Sequence, residues 1–245
     1  MRIVFYNIRY GTGSDWDYHF PLPFCGFFRY SSARIDRISD FLDSLHADIV
    51  CLAEVDGGSY RHNQCNQAES LASDKEWTYR FAGKYGSGSL FSHLPILSSQ
   101  GNAVLSALPI SSYSERTFSK GIKKTFLDVE FDGFHVLLAH LSLGKRARKT
   151  QLQEMSRYCD QLSKPVILGG DFNLIYGDHE LAPLTGTGLK DADSKARPTF
   201  PSRMPKLRLD CMLTDKEIHV ENVDVPRTCL SDHLPLVCDF SVAGN

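Results

Sequence analysis

Short apolar runs of β-favouring residues, each closed by Gly, Pro, Asn or Asp, recur along almost the whole chain. They predict strands at RIVFYNI (2–8), DIVCLAEV (48–55), TYRFAG (78–83), NAVLSAL (102–108), KTFLDVEF (124–131), FHVLLAHLS (134–142), PVILGG (165–170), RLDCML (208–213), HVENVDV (219–225) and LPLVCDFSV (234–242). Two segments repeat apolar residues at helical spacing instead: Ile35, Ile38, Leu42 and Leu45 behind a Ser31–Ser32 cap, and Leu152, Met155, Cys159 and Leu162 behind Thr150. Each predicts a helix able to cover one face of a sheet. Asp132-Gly133 between KTFLDVEF and FHVLLAHL is the strongest short hairpin signal, so at least this pair is expected to be antiparallel. Many hairpins with a few covering helices predict an α+β fold of packed sheets. No repeat or long linker divides the chain, and residues 1–245 are expected to form one domain.

Two segments fit neither pattern: residues 15–30, crowded with aromatics and prolines, and residues 83–101 around GSGSLFSHLPIL. Both are expected to be long loops near one rim, and long ordered loops are often functional. Trp16, Tyr18, Phe20, Phe24, Phe27 and Phe28 in the first can stack on bases or rest against lipid, or pack on each other.

Composition narrows the class without naming a function. The 27 Lys and Arg against 29 Asp and Glu give a formal charge of −2, so any phosphate-binding surface must be local. Nothing approaches the ~18 consecutive apolar residues of a membrane span, and the N-terminal run is too short and broken for a signal peptide. Seven cysteines lie mostly within apolar runs and form no Cys-x-x-Cys pair. They are expected to be reduced, mostly buried thiols of a cytoplasmic protein rather than a disulfide framework or zinc site. A monomer is expected.

Polar side chains recur where apolar runs end. Asn7 closes RIVFYN, Glu54 closes DIVCLAE, His140 closes FHVLLAH, Asp171 and Asn173 follow VILGG, and Asp232-His233 precede LPLVCDF. Each alone has a plain explanation as a strand terminator. Together they are carboxylates, carboxamides and histidines, without Gly-x-Ser-x-Gly or a phosphate-cradling Gly-x-x-x-x-Gly-Lys. That is a set suited to metal-assisted hydrolysis. A hard cation such as Mg²⁺ takes one or two carboxylates plus waters and phosphate oxygens, which Glu54, Asn7 and Asp232 can supply.

The motifs YNIRYG, LAEVD, GNAVLS, AHLSL, GGDFN, PTFPS, RLDCML and SDHLPL occur in this order between residues 6 and 236. Together they resemble the endonuclease/exonuclease/phosphatase superfamily, whose members include deoxyribonuclease I, abasic endonucleases of the exonuclease III type, inositol polyphosphate 5-phosphatases and neutral sphingomyelinases. The resemblance implies a four-layer sandwich of two packed, mainly antiparallel sheets flanked by helices, with the site at one edge. It implies that Glu54 is the principal ligand of Mg²⁺, with Mn²⁺ able to substitute, supported by Asn7 and Asp232. It makes Asp171 the residue that orients or deprotonates the attacking water and Asn173 its partner. His140 would contact the phosphate, and His233 would stabilise the transition state with Asp210 fixing its tautomer. Asn102, in GNAVLS, and Arg9, in YNIRYG, join the expected substrate-binding set.

Arg9, Ala53 and His140 stand where exonuclease III-like members carry an acid, a Gln and a Tyr. This moves the resemblance toward the phosphatase, sphingomyelinase and deoxyribonuclease I side. The basic run Lys145, Arg146, Arg148 and Lys149 follows His140 closely and is expected to contact substrate phosphate, with Lys123-Lys124 and Arg203, Lys206 and Arg208 as extensions. The leading expectation is a Mg²⁺-dependent phosphodiesterase of nuclease type acting on nucleic acid. The alternatives are a phosphatase or phospholipase-C-like hydrolase of a small phosphoester or sphingolipid, and a non-catalytic binding protein on the same fold.

Overall fold

The computed structural model describes residues 1–14, 32–73, 75–85 and 97–243. The loop 15–30 with its aromatics, the Ser31 cap and residues 86–96 lie outside them. All ten predicted strands are present. In chain order the elements are β1 (Arg2–Asn7), α1 (Ser32–Ser44), β2 (Ile49–Asp56), α2 (Gln67–Ser73), β3 (Thr78–Gly83), β4 (Gln100–Ser106), β5 (Ser112–Thr117), β6 (Thr125–Phe131) and β7 (Phe134–His140). They continue as α3 (Lys145–Cys159), β8 (Val166–Asp171), α4 (Ala182–Thr185), β9 (Lys190–Asp191), β10 (Asp210–Thr214), β11 (Ile218–Asp224) and β12 (Leu236–Val242). The helix expected after Thr150 begins a full turn earlier, at Lys145.

The strands form two six-stranded sheets, ordered β11-β12-β1-β2-β4-β3 and β5-β6-β7-β8-β10-β9. Each holds one parallel pair, β1 with β2 and β7 with β8, and is otherwise antiparallel. Strand alternation explains the layers. In β1, Ile3 and Phe5 point to the core between the sheets, while Val4 and Tyr6 point to the core under α1 and α2. In β7, Val136 and Leu138 face the other sheet, while Leu137 and Ala139 pack under Leu152, Met155 and Cys159 of α3. Central strands are therefore covered on both faces, which is why their sequences read as unbroken apolar runs. The result is helix, sheet, sheet, helix. None of the described helices is long and apolar enough to cross a membrane.

Glycines in VILGG are required by packing. A Cβ on Gly169 would meet the Phe5 ring at 2.6 Å, and one on Gly170, at φ +131°, would meet the Ala139 carbonyl oxygen at 2.1 Å. The pair lets β8 lie close to β1 of the opposite sheet and to β7 of its own.

Candidate active site

Register places the polar strand ends side by side. His140 of β7 and Asp210 of β10 both pair with Asp171 of β8, so these three stand in one row across the second sheet. In the first sheet Asn7 of β1 pairs with Ala53 of β2. Next to it β2 carries a bulge: Leu52 pairs with Ala103 and Val55 with Gly101, so Ala53 and Glu54 together oppose Asn102. Glu54 adopts φ +56°, a left-handed conformation costly for a residue with a Cβ, and its N–H donates to Asn102 Oδ1 at 3.4 Å. The bulge turns Glu54 toward the row of the other sheet.

The two rows meet at Asp171 Oδ2. Asn7 Nδ2 donates to it at 3.0 Å, His140 Nε2 lies 3.1 Å away, and His233 Nε2 lies 3.9 Å away. The other oxygen, Oδ1, accepts the N–H of Asn173, a residue held at φ +52° whose side chain donates to the Leu141 carbonyl at 2.9 Å. Phe172 between them is fully buried under α3. Burial opposes the charge of Asp171, but His140 and His233 overcome it and hold the carboxyl well below the ordinary range.

His233 arrives from the segment before β12 and is fixed from behind. Its Nδ1 contacts Asp210 Oδ2 at 2.7 Å, and the Thr199 hydroxyl donates to the same oxygen at 2.5 Å. The Phe200 ring lies 5.0 Å from the imidazole, centre to centre. Thus PTFPS supports the histidine from the side. Burial alone would neutralise His233, yet Asp210 and Asp171 raise it to about 10, so it carries charge at neutral pH. His140 behaves oppositely: burial and the Lys123 ammonium lower it to about 4, leaving a neutral ring.

Glu54 faces His140 across a gap, with Oε1 3.8 Å from His140 Nδ1. That nitrogen is buried and has no hydrogen-bond partner. Burial works against the Glu54 charge, but Lys84, His140 and Lys123 hold the carboxyl at about 2. Asp232 lies at the rim, 3.2 Å from Arg9 Nη1, and the Arg9 backbone N–H donates to Asn7 Oδ1 at 3.0 Å. Burial raises Asp232, against the pull of His233 and Arg9.

The donor chemistry suits a hard divalent cation. Glu54, Asn7 and Asp232 offer only oxygens, and among the described contacts Glu54 Oε2 has no partner. Asp171, Asp210 and His233 can also present one ligand atom each within 4.8 Å of one another. There, however, His233 Nδ1 is committed to Asp210 and the charged ring leaves Nε2 protonated, so the oxygens of Glu54, Asn7 and Asp232 are the better match.

Two lysines complete the site. Lys84, just beyond β3, donates to Tyr10 Oη at 2.8 Å and to Glu54 Oε1 at 3.3 Å. Lys123, just before β6, contacts His140 Nε2. The Lys124 N–H donates to the Lys84 carbonyl at 3.1 Å, which clips the two segments together. Burial of the Lys123 ammonium lowers its pKa to about 8 despite Asp171 and Glu54. Lys84 carries no motif in the sequence, and Lys123 stands out there only as one member of a basic patch.

The basic run after His140 does not act as one surface. Arg148 is fully buried: Nε and Nη2 donate to Glu180 Oε2 at 2.9 and 2.6 Å, and Nη1 donates to the Ser142 and Leu143 carbonyls at 3.1 and 2.7 Å. It is a clamp between loops, which corrects the expectation that it binds substrate. Arg146 and Lys149 are exposed on α3. Arg208, expected to extend the patch, is largely buried against Asp191 and Asp178.

The sequence profile of the Endonuclease/Exonuclease/phosphatase family matches residues 4–233. An uncharacterised protein, YbhP of Escherichia coli strain K12, is 31% identical over 236 residues, covering 84% of this chain and 88% of its own. Solved structures with the same fold include an endonuclease/exonuclease/phosphatase from Beutenbergia cavernae (TM-score 0.74, 19% identity, 100% of this chain and 72% of that one). Another is the mannosyl-6-phosphatase Bt3783 of Bacteroides thetaiotaomicron (TM-score 0.69, 16% identity, 98% and 99%).

Proposed function

The chain belongs to the Endonuclease/Exonuclease/phosphatase family, and on that footing we propose that it is a Mg²⁺-dependent phosphoester hydrolase centred on Asp171. The observation carrying this reading is the approach of Asn7, His140 and His233, from both sheets, to one oxygen of that carboxylate. Buried polar groups gathered this closely need a task that offsets their desolvation.

Asp171 remains ionised and accepts a hydrogen bond from the attacking water, aligning it with phosphorus. Its depressed pKa suits it to orienting that water more than to removing its proton. Asn7 and the Asn173 backbone fix the carboxylate in this orientation. His233, protonated and fixed by Asp210, donates to a phosphoryl oxygen, whose negative charge grows toward the transition state. Neutral His140, whose Nε2 already lies between Asp171 and the Lys123 ammonium, keeps Nδ1 free for a phosphate oxygen. Bound by Glu54, Asn7 and Asp232, a divalent cation would supply Lewis-acid polarisation of the phosphoryl group and a more acidic water.

Lys84 and Lys123 favour a compact, densely charged substrate, such as a terminal phosphate on a small molecule. Buried ammonium groups recognise phosphate as point charges without reading a long backbone. The nuclease-type reading loses Arg148 from its expected contact surface and becomes the other arm of the test. That test is hydrolysis of p-nitrophenyl phosphate, sugar and inositol phosphates, bis-p-nitrophenyl phosphate, single-stranded DNA and RNA, after chelation and with Mg²⁺ or Mn²⁺ restored. Metal-restored release of phosphate from monoesters is expected. Undiminished turnover after thorough chelation would remove the metal, and turnover confined to polynucleotides would restore the nuclease.

A further inference from the structure

Beyond the site, one face combines exposed apolar groups with cations that have no carboxylate partner among the described residues. Leu143, Ile175 and Tyr176 are 61%, 43% and 55% exposed, a cost the fold does not need for its own packing. Arg148 binds their two loops together through the Leu143 carbonyl and Glu180, and the Tyr176 N–H donates to Glu180 Oε1 at 3.1 Å. Lys145, Arg146 and Lys149 stand on the first turns of α3 beside them. Among the described residues these three have no carboxylate partner, whereas the acids nearby are taken, Glu180 by Arg148 and Asp178 by Arg208. The local charge is therefore positive on a protein whose formal charge is −2.

Next to this edge a cleft of ≈ 540 Å³ opens between α3 and α4. Leu152, Ala182 and Pro183 line it together with Lys145, Lys149, His179 and Glu180, the last already paired with Arg148. Aliphatic knobs, a largely apolar cleft and the cations of the first turns of α3 together match an interface between acyl chains and acidic headgroups. They match a nucleic acid less well, because the other exposed groups, Leu143 and Ile175, are aliphatic and one face of the Tyr176 ring is taken by Lys145 at 4.5 Å.

We propose that the face formed by residues 143–149, residues 175–176 and the α3–α4 cleft docks on an anionic phospholipid surface. This does not depend on the phosphoesterase reading. Docking would hold the active-site rim, which shares the loops after β7 and β8, close to that surface.

The experiment is flotation of the full chain with vesicles of phosphatidylcholine alone and of phosphatidylcholine with phosphatidylglycerol, with circular dichroism to verify that each variant is folded. The wild type is expected to float with the anionic vesicles only. The Lys145→Gln/Lys149→Gln variant should partition roughly 25-fold less, since each basic residue at an anionic surface contributes about fivefold. The Leu143→Ser/Tyr176→Ser variant should lose the part of binding that survives high salt, while its hydrolysis of a soluble phosphoester stays unchanged. No flotation, flotation indifferent to phosphatidylglycerol, or folded variants that float like wild type would overturn the proposal. So would retention of a single-stranded oligonucleotide that both variants lose, which would reassign the face to nucleic acid.

Discussion

Arg148→Met separates a structural from a substrate-binding reading of the basic run. Methionine refills most of the buried stem but removes all four hydrogen bonds of the guanidinium. The largest consequence falls on Glu180, whose side chain is 7% exposed and would keep only the Tyr176 N–H. Breaking one side of a buried ion pair costs ~3–5 kcal/mol, because the remaining charge stays desolvated. The Ser142 and Leu143 carbonyls add less, since Leu143 is itself exposed and water can reach its backbone. A loss of ~3–5 kcal/mol is therefore expected in urea unfolding, read from the midpoint at constant slope. Arg148→Met/Glu180→Leu should recover most of it, giving a coupling energy above ~2 kcal/mol, since apolar replacement of a buried pair is often neutral. An Arg148→Met protein within ~1 kcal/mol of wild type but with a raised KM would refute the clamp and return the residue to the substrate.

Three further outcomes test the site and its frame. His233→Ala should lower kcat by roughly 10²–10³, equivalent to ~2.7–4 kcal/mol of barrier; wild-type turnover by a folded variant would remove His233 from the chemistry. Lys123→Met should weaken competitive inhibition by inorganic phosphate at least tenfold, as a charged hydrogen bond contributes ~1.5–3 kcal/mol, and an unchanged inhibition constant would exclude the lysine from phosphate binding. Asp193 is buried, which raises its carboxyl, but bonds from Arg197 outweigh this and leave it below its ordinary value. A depressed carboxylate contributes stability above its unfolded pKa of about 3.9 and loses it as pH falls through the folded value. Asp193→Asn should therefore be less stable than wild type at neutral pH, with the difference closing below about pH 4; a gap independent of pH would show that the charge is not its source.

The fold was legible where burial acts on both faces. RIVFYN, IVCLAEV and FHVLLAH read as strands because two cores claim their alternate residues. β5, with sequence SYSERT, escaped because it is a solvent-facing edge strand that pairs only with β6, and nothing apolar marks it. Much of the candidate site was legible for a related reason: Asn7, His140 and Asp171 each end a buried strand, where a polar residue is conspicuous. Its completion was not. Lys84 and Lys123 flank strands of different sheets, and nothing local to either shows that they converge. Glu54 was visible as an acid, but the two-against-one bulge that aims it depends on the partner strand carrying Asn102.

Arg148 is the instructive error, because its signal was present and belonged to the wrong pattern. As one of four cations in five residues it reads as part of a solvated or phosphate-facing run. Yet it lies four residues before Leu152, and the series Arg148, Leu152, Met155 and Cys159 follows one face of a helix, the face that packs on β7 and β8. Starting the helix at Lys145 instead of after Thr150 brings Arg148 onto the buried stripe, while Lys145, Arg146 and Lys149 fall outside it. A buried arginine then demands a carboxylate, and Glu180 answers it from the loop that carries Tyr176. The same rotation that withdraws Arg148 from the surface leaves its three neighbours without acidic partners. A run that looked like one phosphate-binding feature thus divides into an internal clamp and an external cationic edge, each with its own test.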